Sequence, residues 1–393
     1  MITAEDNRLL TQTGPGTPGG ELLRRYWQVV ATVPELSAET PTKHVRILSE
    51  DLVLFRDKSG RVGLLADHCP HRGASLLYGR VEERGIACAY HGWLYDIEGN
   101  CLETPAEPAD SKLYLTVKHR AYPVQERYGL YWTYMGPPPA PLLPRFDVAE
   151  VGAVKNVSVS RQDCNWLQVA ENNLDQSHTV ILHQATRTRG MAGSNSARGL
   201  IDELAGLEYI EAPFGIKRHR IDTSGYDDTD LLVFPLGARI YNHFAYKVPV
   251  DDTHSKRYSV MSDLGIDDGR RDPSWSGTDG AITFGQTPVG KTPPDAIHPV
   301  ATYNMDRLQW QDFMAVETQG AISPRENERL GTADRGIVLL REMLKREIEK
   351  VQNGLDPIGV IRDPAHETID THIDIYIGMS LRFPPDRARA NAR

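Results

Sequence analysis

At 393 residues the chain is too long for one ordinary compact core, and two domains are expected. Its 44 basic against 53 acidic side chains give a net charge of −9, which argues against a nucleic-acid partner. No apolar run approaches the roughly 20 residues that cross a bilayer, and the opening MITAEDNRLL has no apolar core for a secretory signal. Four cysteines make a disulfide framework improbable, so a reducing cytoplasm is expected, where neighbouring Cys and His read as metal ligands.

In chain order, residues 21–35 (ELLRRYWQVVATVPE) begin with helix formers and drift into a strand-like run before Pro34. From 44 to 136 the texture is that of short strands (VRILSEDLVLFRD, RVGLLAD, IACAYHGWLYD, GLYWTYMG) separated by Gly, Asn and Asp turn signals, the pattern of a small all-β unit. Gly136-Pro137-Pro138-Pro139-Ala140-Pro141 then forms a stiff segment that suits neither a helix nor a central strand. The expected division is an N-terminal helical segment over 1–43, a β domain over 44–136, a proline-rich linker over 137–146 and a second domain over 147–393.

Within the second domain, residues about 165–180 read as a helix, and 205–262 hold β-like runs such as LLVF and ARIYNHFAYKVPV. Residues 265–298, rich in Gly, Asp, Pro and Thr, read as loop; with 185–200 they are candidate lids. An amphipathic helix is expected near 333–352, with Ile337, Leu340, Leu344, Ile348 and Val351 on one face and Gly354 as its stop. The fold class is therefore α+β.

Two constellations carry chemistry. Cys69-Pro70-His71 is followed, after sixteen residues, by Cys88-Ala89-Tyr90-His91. Each short loop supplies one thiolate and one imidazole, a set that suits a [2Fe–2S] cluster with two Cys on one iron and two His on the other. A structural zinc site uses the same four residues, but zinc fingers pair Cys with Cys and His with His along the chain. Cys101 and Cys164 have no ligand-like neighbours and read as buried thiols.

The second constellation is NWLQVAENNLDQSHTVILH over 165–183, with Glu171, Asn172, Asp175, His178 and His183. On one continuous helix Glu171, Asp175 and His178 lie within an arc of about 100°, whereas His178 and His183 diverge by about 140°. His183 must then follow a distortion or the helix end. Two imidazoles and a carboxylate make the facial triad of non-haem Fe(II), with positions left open for O2. Taken alone, a His-x4-His pair is weak; satisfied or surface histidines explain it as well.

Together, CPHRGA and CAYHGW resemble the Rieske motif C-x-H-x16–18-C-x2-H, and 171–183 resembles the E-N-x2–3-D-x2-H-x4–5-H motif of Rieske oxygenase catalytic domains. GPGTPGGELLRRYWQVV and GAISPRENERLGTADRGIVLLREML are similar to the phthalate-dioxygenase branch, so the likeness runs almost the whole length. Pro324 departs from the Asp usual before that Arg. The resemblance implies an oxygenase (alpha) component, with a Rieske domain and a helix-grip, START-like catalytic domain built on an antiparallel sheet. It implies a cluster on Cys69, His71, Cys88 and His91 and a mononuclear Fe(II) on His178, His183 and a downstream carboxylate. Asp312, in WQDFMAVETQGAI, is the choice for that carboxylate, with Asp306 and Glu317 as rivals.

By the same resemblance Asp175 bridges a cluster histidine, His91, to the iron ligand His178 across a subunit boundary, in a cyclic trimer or a multiple of it. Asn172 lies near the iron. Aromatic carboxylates and aryl ethers are the implied substrates and O2 the oxidant. Electrons come from a separate NAD(P)H-dependent reductase, since GPGTPGG follows no strand and is no dinucleotide site. A substrate carboxylate needs a fixed cation, for which Lys217, Arg218 and Arg239 are candidates; alternation sends Lys217 and Arg218 to opposite faces. The leading expectation is cis-dihydroxylation of an aromatic carboxylate. Dealkylation of an aryl ether or amine, and a Rieske electron carrier without a catalytic iron, are the alternatives.

Overall fold

A computed structural model describes residues 2–183, 207–221, 227–240, 242–264, 282–286, 290–294 and 300–371. The stretch 185–200, expected as a lid, lies outside the described residues, as does most of 265–298. What is described of the latter is not all loop: Thr283–Gln286 is a strand parallel to 153–162, and Lys291–Thr292 pairs with Thr302–Tyr303.

The first half is β-rich, as the turn spacing predicts. Thr42–Ile47, Glu50–Arg56, Val62–Ala66 and Ala121–Tyr122 form one four-stranded sheet. Arg80–Glu82, Gly85–Ala87, Leu94–Tyr95 and Cys101–Glu103 form a second. Between them Val53, Phe55, Leu65, Leu76, Ile86 and Tyr95 make a small separate core that reaches Cys69 and Cys88. The strand-like end of 21–35 becomes Gln28–Thr32, which pairs with Leu130–Thr133.

The second half is organised by an eight-stranded sheet. Its spatial order is 208–212, 215–221, 227–233, 237–240, 243–251, 254–263, 153–162, 283–286, antiparallel but for the last pair. Alternation along His243–Asp251 sends Phe244, Tyr246 and Val248 into the main core, with Tyr246 Oη donating to Trp27 O (2.6 Å). Ala245 and Lys247 take the other face. Against that face pack the helices Trp166–Asn172 and Leu308–Glu317. The closing helix, Arg335–Gln352, buries Leu340, Met343, Leu344, Ile348 and Val351, and Gly354 (φ 76°) follows its end.

One continuous helix over 165–180 does not form. Trp166–Asn172 and Gln176–Ile181 are separate, because Asn172 and Asn173 are weak helix formers and Asp175 starts a new helix as its N-cap, accepting from Ser177 N (2.8 Å) and His178 N (3.3 Å). The shared arc of Glu171, Asp175 and His178 is therefore not realised. His183 lies just past the second helix, as its angular divergence from His178 requires.

Candidate metal centres and substrate cavity

The two Cys/His loops share one backbone design. Cys69 N–H donates to Ala74 O and accepts Gly73 N–H at its carbonyl; Cys88 N–H donates to Trp93 O and accepts Gly92 N–H. Gly73 (φ 75°) and Gly92 (φ 74°) turn each loop through the left-handed region, which side chains disfavour. Each turn buries its cysteine and carries its histidine outward: Cys69 and Cys88 are buried, His71 is exposed and His91 half-buried. The imidazoles lie side by side, centroids 4.6 Å apart, and His71 stacks on Trp93 at 4.4 Å. Burial raises the Cys69 thiol pKa, with Cys88 adding in the same direction. Tyr95 Oη stands 3.2 Å from Cys69 Sγ. Two inner sulfurs and two outer ring nitrogens are the donor set a [2Fe–2S] cluster of this type requires.

The second cluster is assembled from distant segments. Ligand atoms of His178, His183 and Asp312 all lie within 4.8 Å of one another. Asp312 Oδ1 is 3.1 Å from His183 Nε2 and 3.4 Å from His178 Nε2, yet it has no hydrogen bond of proper geometry. A buried carboxylate oxygen and two ring nitrogens thus converge without satisfying one another, which is what a cation-binding point requires. Burial pushes the Asp312 carboxyl up, but His178 and His183 outweigh it and hold it well below the usual range. Burial pulls His178 down, while Asp175 and Asp312 outweigh it and raise its pKa to about 9. The rivals are placed elsewhere: Glu317 is held by Lys291 Nζ (2.5 Å) and Tyr303 Oη (2.7 Å), and Asp306 is exposed.

Asp175 sits beside this cluster, its Oδ2 3.7 Å from His178 Nδ1, outside hydrogen-bond range. Asn172 lines the adjoining cavity.

The helices that carry these residues are tied together in the interior. Gln168 Nε2 donates to Val316 O (2.8 Å) and Gly320 O (2.9 Å), locking Trp166–Asn172 onto Leu308–Glu317. Glu171, which the sequence reading placed near the iron motif without a role, accepts from Arg325 Nη2 (2.8 Å) and Arg341 Nε (2.7 Å). Arg341 also holds Glu328, and Arg325 reaches Asn7 Oδ1 (3.1 Å) on the helix Ala4–Thr11. This buried network was invisible in the sequence because Glu171 lies 154 and 170 positions from its two arginines.

A cavity of about 300 Å3, including space open to solvent, lies between the sheet and the two helices. Asp312 and Asn172 line it together with Val169, Phe313, Lys247 and Arg257. Lys247 and Arg257 face each other across adjacent strands. Lys247 Nζ and Arg257 Nε have no hydrogen-bond partner among the described residues. Burial, then the Arg257 charge, pull the Lys247 pKa well down, and the same two cations with Arg239 help burial pull His243 down to about 3.

The three cations proposed from sequence are not among that lining. Arg218 is ion-paired with Asp230 on the next strand. Lys217 is half-buried on the opposite face of its strand, and Arg239 is buried opposite Phe244, whose ring stacks on Phe146. The sequence did hold a signal for Lys247, one of the two cations that do line the cavity. In HFAYKVPVD, Lys247 shares a face with Ala245 while the aromatic residues take the core face.

Residues 26–123 match the family model of the Rieske [2Fe-2S] domain. The chain is 36% identical to the 5,5'-dehydrodivanillate O-demethylase oxygenase subunit of Sphingobium sp., over 93% of this chain and 85% of that protein. It is 35% identical to the phenoxybenzoate dioxygenase subunit alpha of Ectopseudomonas oleovorans (89% and 87% covered). Identity to the phthalate 4,5-dioxygenase oxygenase subunit of Pseudomonas putida is 32% (91% and 89% covered). Dicamba monooxygenase bound to dicamba has the same fold, with a TM-score of 0.59 at 20% identity over 84% of this chain and 99% of that one. The chain belongs to the Rieske oxygenases, as an oxygenase subunit of that family. It is thus an enzyme whose cofactors are a [2Fe–2S] cluster and a mononuclear iron, and a partner reductase supplies its electrons. The carrier-only alternative falls away. Among the described residues no helix is long and apolar enough to cross a membrane.

Proposed function

We propose that this chain is the terminal oxygenase for an aromatic substrate bearing a carboxylate, which it hydroxylates with O2 as a cis-diol. Cys69, His71, Cys88 and His91 would hold the cluster in the domain over 44–136; His178, His183 and Asp312 would hold the iron in the domain over 147–393. The cluster supplies single electrons and the iron, when bound, activates O2. The observation that carries the substrate class is the Lys247–Arg257 pair: a buried lysine and a half-buried arginine line the cavity beside Asp312, and their Nζ and Nε have no hydrogen-bond partner among the described residues. Burial and the neighbouring arginine disfavour the charged form of Lys247, and a ligand carboxylate accepting from both side chains relieves that cost. Val169 and Phe313 then offer apolar surface to the ring. The outward histidines of the cluster fit electron delivery between subunits of a homotrimer or a multiple of it, with Asp175 between His178 and His91 of the partner subunit.

A second reading, removal of a methyl group from an aryl ether, is favoured by the likeness to the dehydrodivanillate O-demethylase subunit. Reduced protein incubated with O2 and a panel of benzoates, phthalates and methoxybenzoates separates the two. The first reading gives dihydrodiols of the carboxylated rings; demethylated phenols as the sole products establish the second, and no turnover of any carboxylate overturns the substrate class. Arg257→Met raises KM for the accepted substrate by about 10–100-fold, the loss of a charge-assisted hydrogen bond.

A further inference from the structure

We propose that Gln311 is the positioning residue of His183, fixing the tautomer and ring angle that aim Nε2 at the iron site; the inference rests on the reading of His178, His183 and Asp312 as that site. Gln311 is 1% exposed and immediately precedes Asp312 on the helix Leu308–Glu317. Its amide makes two short contacts: Nε2 to Met305 O at 2.6 Å and Oε1 to His183 Nδ1 at 2.7 Å. These two contacts remove the usual ambiguities of amide and imidazole. Met305 O is a carbonyl and accepts only, so the amide nitrogen must face it; turned the other way, two oxygens would meet. Oε1 therefore faces the imidazole, and Nδ1 must carry the proton that it accepts. Neutral His183 then has its lone pair on Nε2, the atom 3.1 Å from Asp312 Oδ1.

The neighbouring ligand candidate lacks such support. His178 Nδ1 has no hydrogen-bond partner among the described residues, and the Asp175 carboxylate stands 3.7 Å from it while capping its own helix. The two imidazoles are thus held unequally: one is locked through a buried amide, and the other, among the described residues, is held by its helix alone. A single helical segment supplies a carboxylate directly, through Asp312, and orients an imidazole from 128 residues away, through Gln311. Partners of this kind govern metal affinity by keeping a ring in its binding orientation.

The test is Co2+ titration of full-length protein with its cluster in place and the mononuclear site emptied, read by the d–d absorption of the bound ion. Gln311→Leu, similar in size but without an acceptor, weakens Co2+ binding by about 10–100-fold and alters the absorption envelope, leaving the cluster spectrum unchanged. Gln311→Glu restores most of the affinity. One of its oxygens accepts from Nδ1, and the other, protonated, still donates to Met305 O. Unchanged affinity and spectrum in Gln311→Leu overturn the proposal. Equal losses in both variants also overturn it, since they assign Gln311 to packing. Asp312→Ala in the same titration isolates the underlying reading: if it too binds Co2+ like the parent, the metal site itself is misplaced, whatever Gln311 does.

Discussion

The two candidate metal centres are built by opposite means. The cysteine–histidine site comes from two short loops with the same turn, the same pair of backbone hydrogen bonds and a glycine at the same place. The histidine–aspartate site has no such local template. It needs a broken helix, a histidine just past the end of its second part and another helix whose Gln311 comes 128 positions after that histidine, brought together by Gln168 and by the Glu171–Arg325–Arg341 network. The first site is a property of its turns. The second is a property of the packed domain, and it is more easily lost by changes that touch no ligand.

That contrast breaks most sharply when a ligand is removed. Asp312→Ala abolishes turnover and leaves the visible spectrum of the cluster intact, whereas Cys88→Ser bleaches the cluster; turnover surviving in Asp312→Ala would transfer the third-ligand role to another carboxylate. Next in size is Glu171→Ala, which strands Arg325 and Arg341 without their shared anion and costs about 3–5 kcal/mol in chemical denaturation. Because that network is remote from the cysteine loops, the second domain should unfold first, read by iron loss ahead of bleaching. If both sites fail together, the contrast between local and packed assembly is wrong. Asp175→Asn keeps a competent helix cap and both metals while slowing single-turnover electron transfer by about 10–100-fold. An unaltered rate removes Asp175 from the electron path. Smallest is Gly73→Ala: the added methyl meets open space, so only the left-handed backbone opposes it, at about 1–2 kcal/mol, seen as a lower melting temperature of the cluster-loaded domain.

Legibility in the sequence follows the same divide. Cys69, His71, Cys88 and His91 could be picked out because their spacing lies within two turns, and the Gly residues beside them mark those turns. His178 and His183 were found as a pair, and the need for an interruption between them was readable from helical angles. The position of the break was not, because Asp175 as an N-cap and Asn173 before it compete with a run that otherwise looks helical. Asp312 came from a motif, while its neighbour Gln311 carried no sign of its partner. Arg218 and Arg239 looked like substrate cations because they sit in sheet strands; only the register shows that Asp230 neutralises one and that Phe244 shares a face with the other. Lys247 and Arg257 reach the cavity by the same alternation, which becomes decisive once the core face is known.

The most direct test of two independently built centres is iron and acid-labile sulfide per chain, measured in the parent protein and in Asp312→Ala. The account predicts about three irons with two sulfides in the parent and about two with two in the variant. Parent protein holding no more iron than sulfide, or a variant that loses sulfide along with iron, would contradict it.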